Sequence, residues 1–400
     1  MNRACRSLIR RDVARLAIGS LAFAGLTTSS YASAQEVPVV SVSRDSASRL
    51  TVGAFVDAYY AWDMGRPPLR DRAFAGGTPF TTQPSRHNEF NVNLAYLEVM
   101  RVASRHRGRL ALQFGTSVQS NYAGEPSTGR ISGPSVQQFL QEAYAGVKLG
   151  ERTWLDAGVF AANVGMEGWV SRDNLTYTRS LVADYSPYYS AGVRVTHPVT
   201  STLTARVDLV NGWQNISENN DGKGLGVRLD WVPRTGTTVS YFSLVTDEAP
   251  VGEDARVRML HGVGTVLTRG RWTLLGEVDL GGQEREAGVG GWSRWFGMVA
   301  TARVAVRPNA ALIARIERFD DPDQGVVATG SRPAAGGMRA NPAFRGNGAS
   351  LGVDITAAPG VLWRTELRGF GARDAVFPAR SVDGARRTGG VLVTSLAVTL

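Results

Sequence analysis

Cysteine is all but missing from this chain: one of 400 residues, Cys5, carries a thiol. It precedes the first apolar stretch, so the chain beyond residue 34 offers neither a disulfide framework nor a thiolate metal site. Long apolar runs are missing too. Beyond residue 34 no stretch of about 18 apolar residues occurs, which excludes a transmembrane helix. The hydrophobic share of 43% and mean hydropathy of −0.13 are equally unlike a helical membrane protein. Histidine is scarce, and none of His87, His106, His197 and His261 has a partner at HExxH-type spacing. His87 and Glu89 could share a strand face, but a metal needs more ligands than these two. Ser217–Arg228 has Asn219, Asp221 and Gly222 in places a calcium loop would use, yet Ser217 and Arg228 replace both anchoring carboxylates. No GxSxG elbow occurs. These gaps predict no catalytic residue, no cofactor and no metal site.

A concentrated positive charge is also lacking. The net charge is +9, but residues 1–34 hold five arginines against Asp12, a net +4, which leaves +5 for the rest. There the two signs are interspersed without a basic stripe, which argues against nucleic acid as a partner. The first 34 residues read as a secretory signal: an arginine-rich start, an apolar stretch from Leu16 to Leu26, and Ala32-Ser33-Ala34 before a cleavage point at Gln35. Residues 35–49 read as a short flexible periplasmic lead-in, and 50–400 as a single domain.

What fills that domain is alternation with a period of two, the signature of strands. Leu50, Val52, Ala54, Val56, Ala58, Tyr60 and Trp62 form one row, with Thr51, Asp57 and Asp63 between them. Phe90, Val92, Leu94, Tyr96, Met100 and Val102 form another, broken by Glu98 in a way that suggests a bulge. Leu110, Leu112, Phe114, Val118 and Tyr122 oppose Arg109, Gln113, Gln119 and Asn121, and similar rows continue to the end of the chain. Many rows run about 9–12 residues, enough to cross a bilayer at a tilt. Short and long connections alternate strictly, which gives sixteen strands, seven short turns and eight long loops. The expected fold is an all-β, antiparallel, up-and-down transmembrane barrel of about 16 strands with short periplasmic turns and long extracellular loops. Leu392, Leu396, Val398 and Leu400 lie on one face of the last strand, the form that barrel assembly machinery reads, with Leu400 in place of the usual terminal aromatic.

Three segments resemble the OmpL-like β-barrel porin family. They are HNEFNVNLAYLEV from His87 to Val99, the run from Trp154 to Val195, and LVNGWQNISENND from Leu209 to Asp221. The resemblance covers the first half of the chain beyond the leader, and it implies an outer-membrane barrel without implying a substrate.

By alternation eleven basic residues, including Arg101, Arg109, Arg194, Arg206, Arg228, Arg315, Arg364 and Arg368, face the lumen. Eleven acidic residues, including Asp57, Glu142, Asp208, Asp230, Glu277, Glu317 and Glu366, face it too, and the balance predicts no ion preference. The expected function is passive diffusion of small hydrophilic solutes or ions through a pore in the bacterial outer membrane, since about 16–18 strands leave an aqueous channel. Outer-membrane lipid surrounds such a barrel, and a homotrimer is a common assembly for porins of this size. The alternative is a non-conducting barrel for adhesion, scaffolding or surface recognition, plugged by a loop such as Asp321–Asn347. The third long connection, Asn163–Pro187, is the expected constriction. It carries Glu167, Arg172, Asp173, Arg179 and Asp184 among aromatics, and its carboxylates are expected to oppose Arg194, Arg206 and Arg228.

Overall fold

The computed structural model describes residues 40–45, 48–75, 77, 79–286, 288–334, 337–381 and 384–400. The leader expected at 1–34 lies outside the described residues. Sixteen barrel strands follow in chain order. The first eight are β1 (Ser48–Asp63), β2 (Phe90–Ala103), β3 (His106–Phe114), β4 (Leu140–Leu149), β5 (Thr153–Ala161), β6 (Tyr189–Pro198), β7 (Leu203–Val210) and β8 (Gly224–Arg234). The rest are β9 (Thr237–Asp247), β10 (Val257–Arg269), β11 (Trp272–Glu284), β12 (Trp292–Arg307), β13 (Ala310–Asp321), β14 (Phe344–Ala358), β15 (Val361–Ala372) and β16 (Thr388–Thr399). Each pairs antiparallel with its sequence neighbours, and β1 closes on β16 from Phe55↔Thr399 to Asp63↔Val391. Closure satisfies the backbone polar groups that hydrocarbon cannot. All seven tight turns lie at one end and all eight long connections at the other.

The outer face is apolar along its middle. Val56, Leu110, Leu209, Leu280, Ile316 and Leu351 are exposed there. Trp231, Trp272 and Trp363 are half-exposed beside short turns, and Phe90 and Phe114 mark the opposite end, an aromatic belt at each rim. Inward positions are buried and largely polar.

Two local features depart from strict alternation. Between Asp57↔Leu94 and Ala58↔Val92 the register slips, so Asn93 is an extra residue bulged from β2. Its side chain turns inward and donates to Asp57 Oδ2 at 2.9 Å. The slip reverses the phase of the strand. Phe90 and Val92 face outward, whereas Leu94, Tyr96 and Glu98 face inward and are buried. Glu98 therefore continues a lumenal row, and Arg101, expected inside, shares the outer face of its partner Leu50. The second feature is the end of β3 at Phe114. Val118 and Tyr122 sit on a helix, α1 (Thr116–Tyr122), instead of continuing the strand. Both are buried inside the barrel with Phe55, Leu94, Tyr96 and Tyr189. At Gly115, φ is +134°, and a Cβ would lie 2.3 Å from the Asn93 carbonyl, so the chain can turn inward there only with glycine.

Within the lead-in 35–49, Val40–Asp45 form a strand that pairs antiparallel with β1 from Val40↔Val52 to Asp45↔Ser48. It covers the part of β1 beyond the chain end, where Leu400 N donates to the Ala54 carbonyl at 2.8 Å.

Candidate functional site

The connection between β5 and β6 runs inside the barrel. It contains a 3-10 turn at Ser171–Asp173 and a single helical turn at Leu181–Asp184, capped by Ser180 Oγ, which accepts from Ala183 N at 3.3 Å. A loop buried away from water must find partners for its backbone, and here wall side chains supply them. Met166 N donates to Glu277 of β11 at 2.9 Å, and Arg228 of β8 donates to the Gly165 carbonyl at 2.7 Å. Ser171 Oγ donates to Asp57 of β1 at 2.7 Å. Arg364 of β15 donates to the carbonyls of Ser171, Asn174 and Leu175 at 2.5, 3.0 and 2.8 Å. Arg315 of β13 and Glu366 of β15 clasp Thr178, and Leu181 N donates to Glu317 of β13 at 2.7 Å. These anchors sit on β1, β8, β11, β13 and β15, so the loop crosses the lumen.

Two wall glycines make room for it. A Cβ at Gly264 would lie 2.2 Å from Met166 Cγ, and one at Gly297 would lie 2.5 Å from Val182 Cγ1 and 2.8 Å from the Phe319 ring. The loop also joins the first long connection. Thr82 Oγ1 donates to Asp184 at 2.6 Å, Gln83 Nε2 to the Trp169 carbonyl at 2.8 Å, and Tyr185 OH to the Phe80 carbonyl at 2.9 Å. Phe80 and Phe74 pack with Phe344, Phe370 and Phe377, so aromatic rings seal one side of the long-loop end.

The residues expected at the constriction divide into three groups. Glu167 and Arg179 shape the loop itself. Glu167 accepts from Ser180 N at 2.7 Å, and Arg179 donates to the Ala183 carbonyl while its guanidinium stacks 3.6 Å from the Tyr188 ring centre. Asp184 is engaged by Thr82 and Tyr188. Arg172 and Asp173 remain partly open to the lumen. Burial pushes the Asp173 carboxyl above the usual carboxylate range, against the pull of Arg172, Arg109 and Arg364.

The wall arginines do not oppose the loop's carboxylates as expected. Arg194 pairs with Asp208 at 2.8 and 2.7 Å, Arg206 with Asp230, and Arg228 with Asp230 at 2.8 Å. Each finds a carboxylate on its own or the adjoining strand, and Arg228 reaches the loop only at a backbone carbonyl, that of Gly165. Strand alternation placed Arg315, Glu317, Arg364 and Glu366 in the lumen without marking them as the loop's anchors. Threonine and serine clustered at Ser171, Thr176, Thr178 and Ser180 are the sequence feature they match.

Beside the root of the loop lies a cavity of about 260 Å³, lined by Arg107, Arg194, Arg206 and Arg228 with Glu142, Tyr144, Asp156, Phe160 and Asn163. The connection 321–344 contributes no residue to that lining. Its arm Gly337–Ala340 is exposed and pairs with Ser331–Ala334 in a hairpin. Among the described residues no group of three or more His, Cys, Asp or Glu could hold a metal ion.

The sequence profile of the family described as "Putative beta-barrel porin-2, OmpL-like" matches residues 49–400. Solved outer-membrane barrels share the fold. An anion-selective porin from Comamonas acidovorans is 10% identical, with a TM-score of 0.55 over 88% of this chain and 100% of its own. OmpT of Vibrio cholerae in its trimer form is 8% identical, with a TM-score of 0.52 over 88% and 100%. Salmonella typhi OmpF in complex with daunomycin is 11% identical, with a TM-score of 0.56 over 90% and 100%. No curated protein matches.

Proposed function

The chain belongs to the OmpL-like β-barrel porin-2 family, and on that premise we propose that this outer-membrane barrel is a diffusion channel for small hydrophilic solutes or ions. The observation that carries the proposal is the inserted loop. A connection anchored by wall charges on five strands narrows the lumen without filling the β3–β8 side, where the cavity lies. Solutes are sorted by size at the loop and by charge along its edge, at Arg172 and Asp173. No cofactor and no catalytic step enter this mechanism. The long connections face outward and the tight turns face the periplasm, as outer-membrane barrels are built. A homotrimer, as in the trimer form of Vibrio cholerae OmpT, is the assembly we propose.

Liposome swelling tests the proposal. Vesicles holding the full barrel should admit small sugars at rates that fall with solute size. Swelling no faster than in protein-free vesicles would refute it.

The second reading is a barrel closed to solutes that serves adhesion or scaffolding. The packing of Phe74 and Phe80 over the long-loop end favours it. It predicts no swelling with any solute.

A further inference from the structure

The lumenal charges balance in sequence but not in space. Glu277, Glu317, Glu366 and Asp57 all accept hydrogen bonds from the inserted loop. Arg315 and Arg364 are likewise buried against it. A cavity lies along the β3–β8 wall, and arginines dominate its lining. Arg107 is fixed by Asp156 and lies 4.5 Å over the Trp154 ring. Arg194 is fixed by Asp208 and lies 4.1 Å over the Phe160 ring. Each guanidinium is thus held by a carboxylate and an aromatic face and still lines the cavity.

Arg206 and Arg228 stand directly opposite each other across β7 and β8, an arrangement of like charges that costs stability. They share Asp230, whose carboxylate is mostly withdrawn from solvent. Arg228 also seats the inserted loop through the Gly165 carbonyl at 2.7 Å, and an anion beside the two cations would offset the repulsion between them. A second observation agrees. Asn163, only 7% exposed, lines the same cavity, and its amide nitrogen has no hydrogen-bond partner. A buried donor without an acceptor is costly unless a ligand or water completes it.

We propose that this cavity is a binding site for a small oxyanion, either inorganic phosphate or a short dicarboxylate, on the path through the barrel. Guanidiniums match such oxygens with paired N–H donors, and the aromatic and carboxylate supports hold them in place before the ion arrives. The proposal rests on the lumen being a solute path, but occupancy of the site can be measured without transport.

The test has two arms. In planar bilayers with potassium chloride, inorganic phosphate or malonate should reduce the chloride current in a saturable way. In the variant Arg194→Gln with Asp208→Asn, which removes a matched pair, half-blocking concentrations should rise roughly tenfold, the effect of losing one charge-assisted contact. Arg206→Lys, which keeps the charge and the fold, should weaken block less. Arg318→Gln, on the outer face, should leave it unchanged. Isothermal titration of the full barrel in detergent reads binding even if no current flows. Block by phosphate alone identifies phosphate as the ligand, and block by malonate extends the site to carboxylates. Binding equal in wild type and the paired variant, or no saturable binding of either ion, overturns the proposal. Absence of current together with normal binding would instead overturn the channel function.

Discussion

Arg315 of β13 holds Thr178 of the inserted loop at two points, donating from Nη1 to the carbonyl at 2.7 Å and from Nη2 to Oγ1 at 2.6 Å. The same guanidinium lies 3.0 Å from Glu366, which accepts from Thr178 N and Oγ1 at 2.8 Å each. Wall and loop therefore share one closed network. Arg315→Met leaves Glu366 buried without its cation and should destabilise the protein by about 3–5 kcal/mol. The double variant with Glu366→Gln should recover part of that loss, because the stranded charge is gone. Denaturant midpoints of the refolded barrel measure both. Equal midpoints for wild type and Arg315→Met would show that the loop is held by something else.

Gly297 and Gly264 give a graded test of how the loop is seated. Gly297→Val drives into Val182 and Phe319, both buried, and should lift the helical turn Leu181–Asp184 off the wall. Overpacking of this kind typically costs about 1–3 kcal/mol. Noisier channel openings and faster proteolysis within residues 181–184 are expected. Gly264→Ala meets only the flexible Met166 side chain and should change little. The reverse order of severity would contradict this seating.

Asp173 predicts a pH dependence. Its pKa is raised by burial, so it keeps its proton to a higher pH than an ordinary carboxylate. On acidification the negative charge at the loop's edge is lost early, and Arg172 is left to act alone. Anion preference should therefore rise as pH falls, in a window above the usual carboxylate range. Asp173→Asn should show the acid-like preference at all pH values. Reversal potentials across a salt gradient read this directly, and a variant with unchanged pH dependence would rule out Asp173 as its origin.

The bulge at Asn93 exists to serve the interior. It turns Glu98 inward, where Arg109 bridges it at 2.7 Å and Glu142 at 2.5 Å, all three buried. Arg109→Leu would strand two carboxylates and should lower folding yield sharply. Adding Glu98→Gln and Glu142→Gln should restore folding, since no buried charge then lacks a partner. Failure of the triple variant to regain yield would assign Arg109 a role beyond charge pairing.

Much of the fold was legible in the sequence because lipid on one side and water on the other impose a period of two. The number of strands, the alternation of turn lengths and the outward rows of Leu110, Leu280 and Leu351 follow from that. The aromatics of the β5–β6 connection, Tyr177 and Tyr185 among them, pointed to a packed loop, and Tyr177 is buried. Three things were not legible. The phase change at Asn93 is a backbone event that only pairing with Asp57 and Ala58 reveals. Val118 and Tyr122 keep a spacing that fits one face of a helix, and inside a strand-rich region they read as a continued strand. The partners of the loop lie far off in sequence, 63 residues for Arg228 and Gly165 and 137 for Arg315 and Thr178, and no local pattern encodes them.

The most direct test of the whole account is single-channel recording of the full barrel beside a variant in which Arg172–Ser180 is replaced by a short glycine-serine link. The wild-type protein should give discrete conductance steps, and the variant larger, less selective ones. Wild-type steps with no increase in the variant would show that the loop does not set the constriction. No steps from either protein would show that the barrel is not a channel.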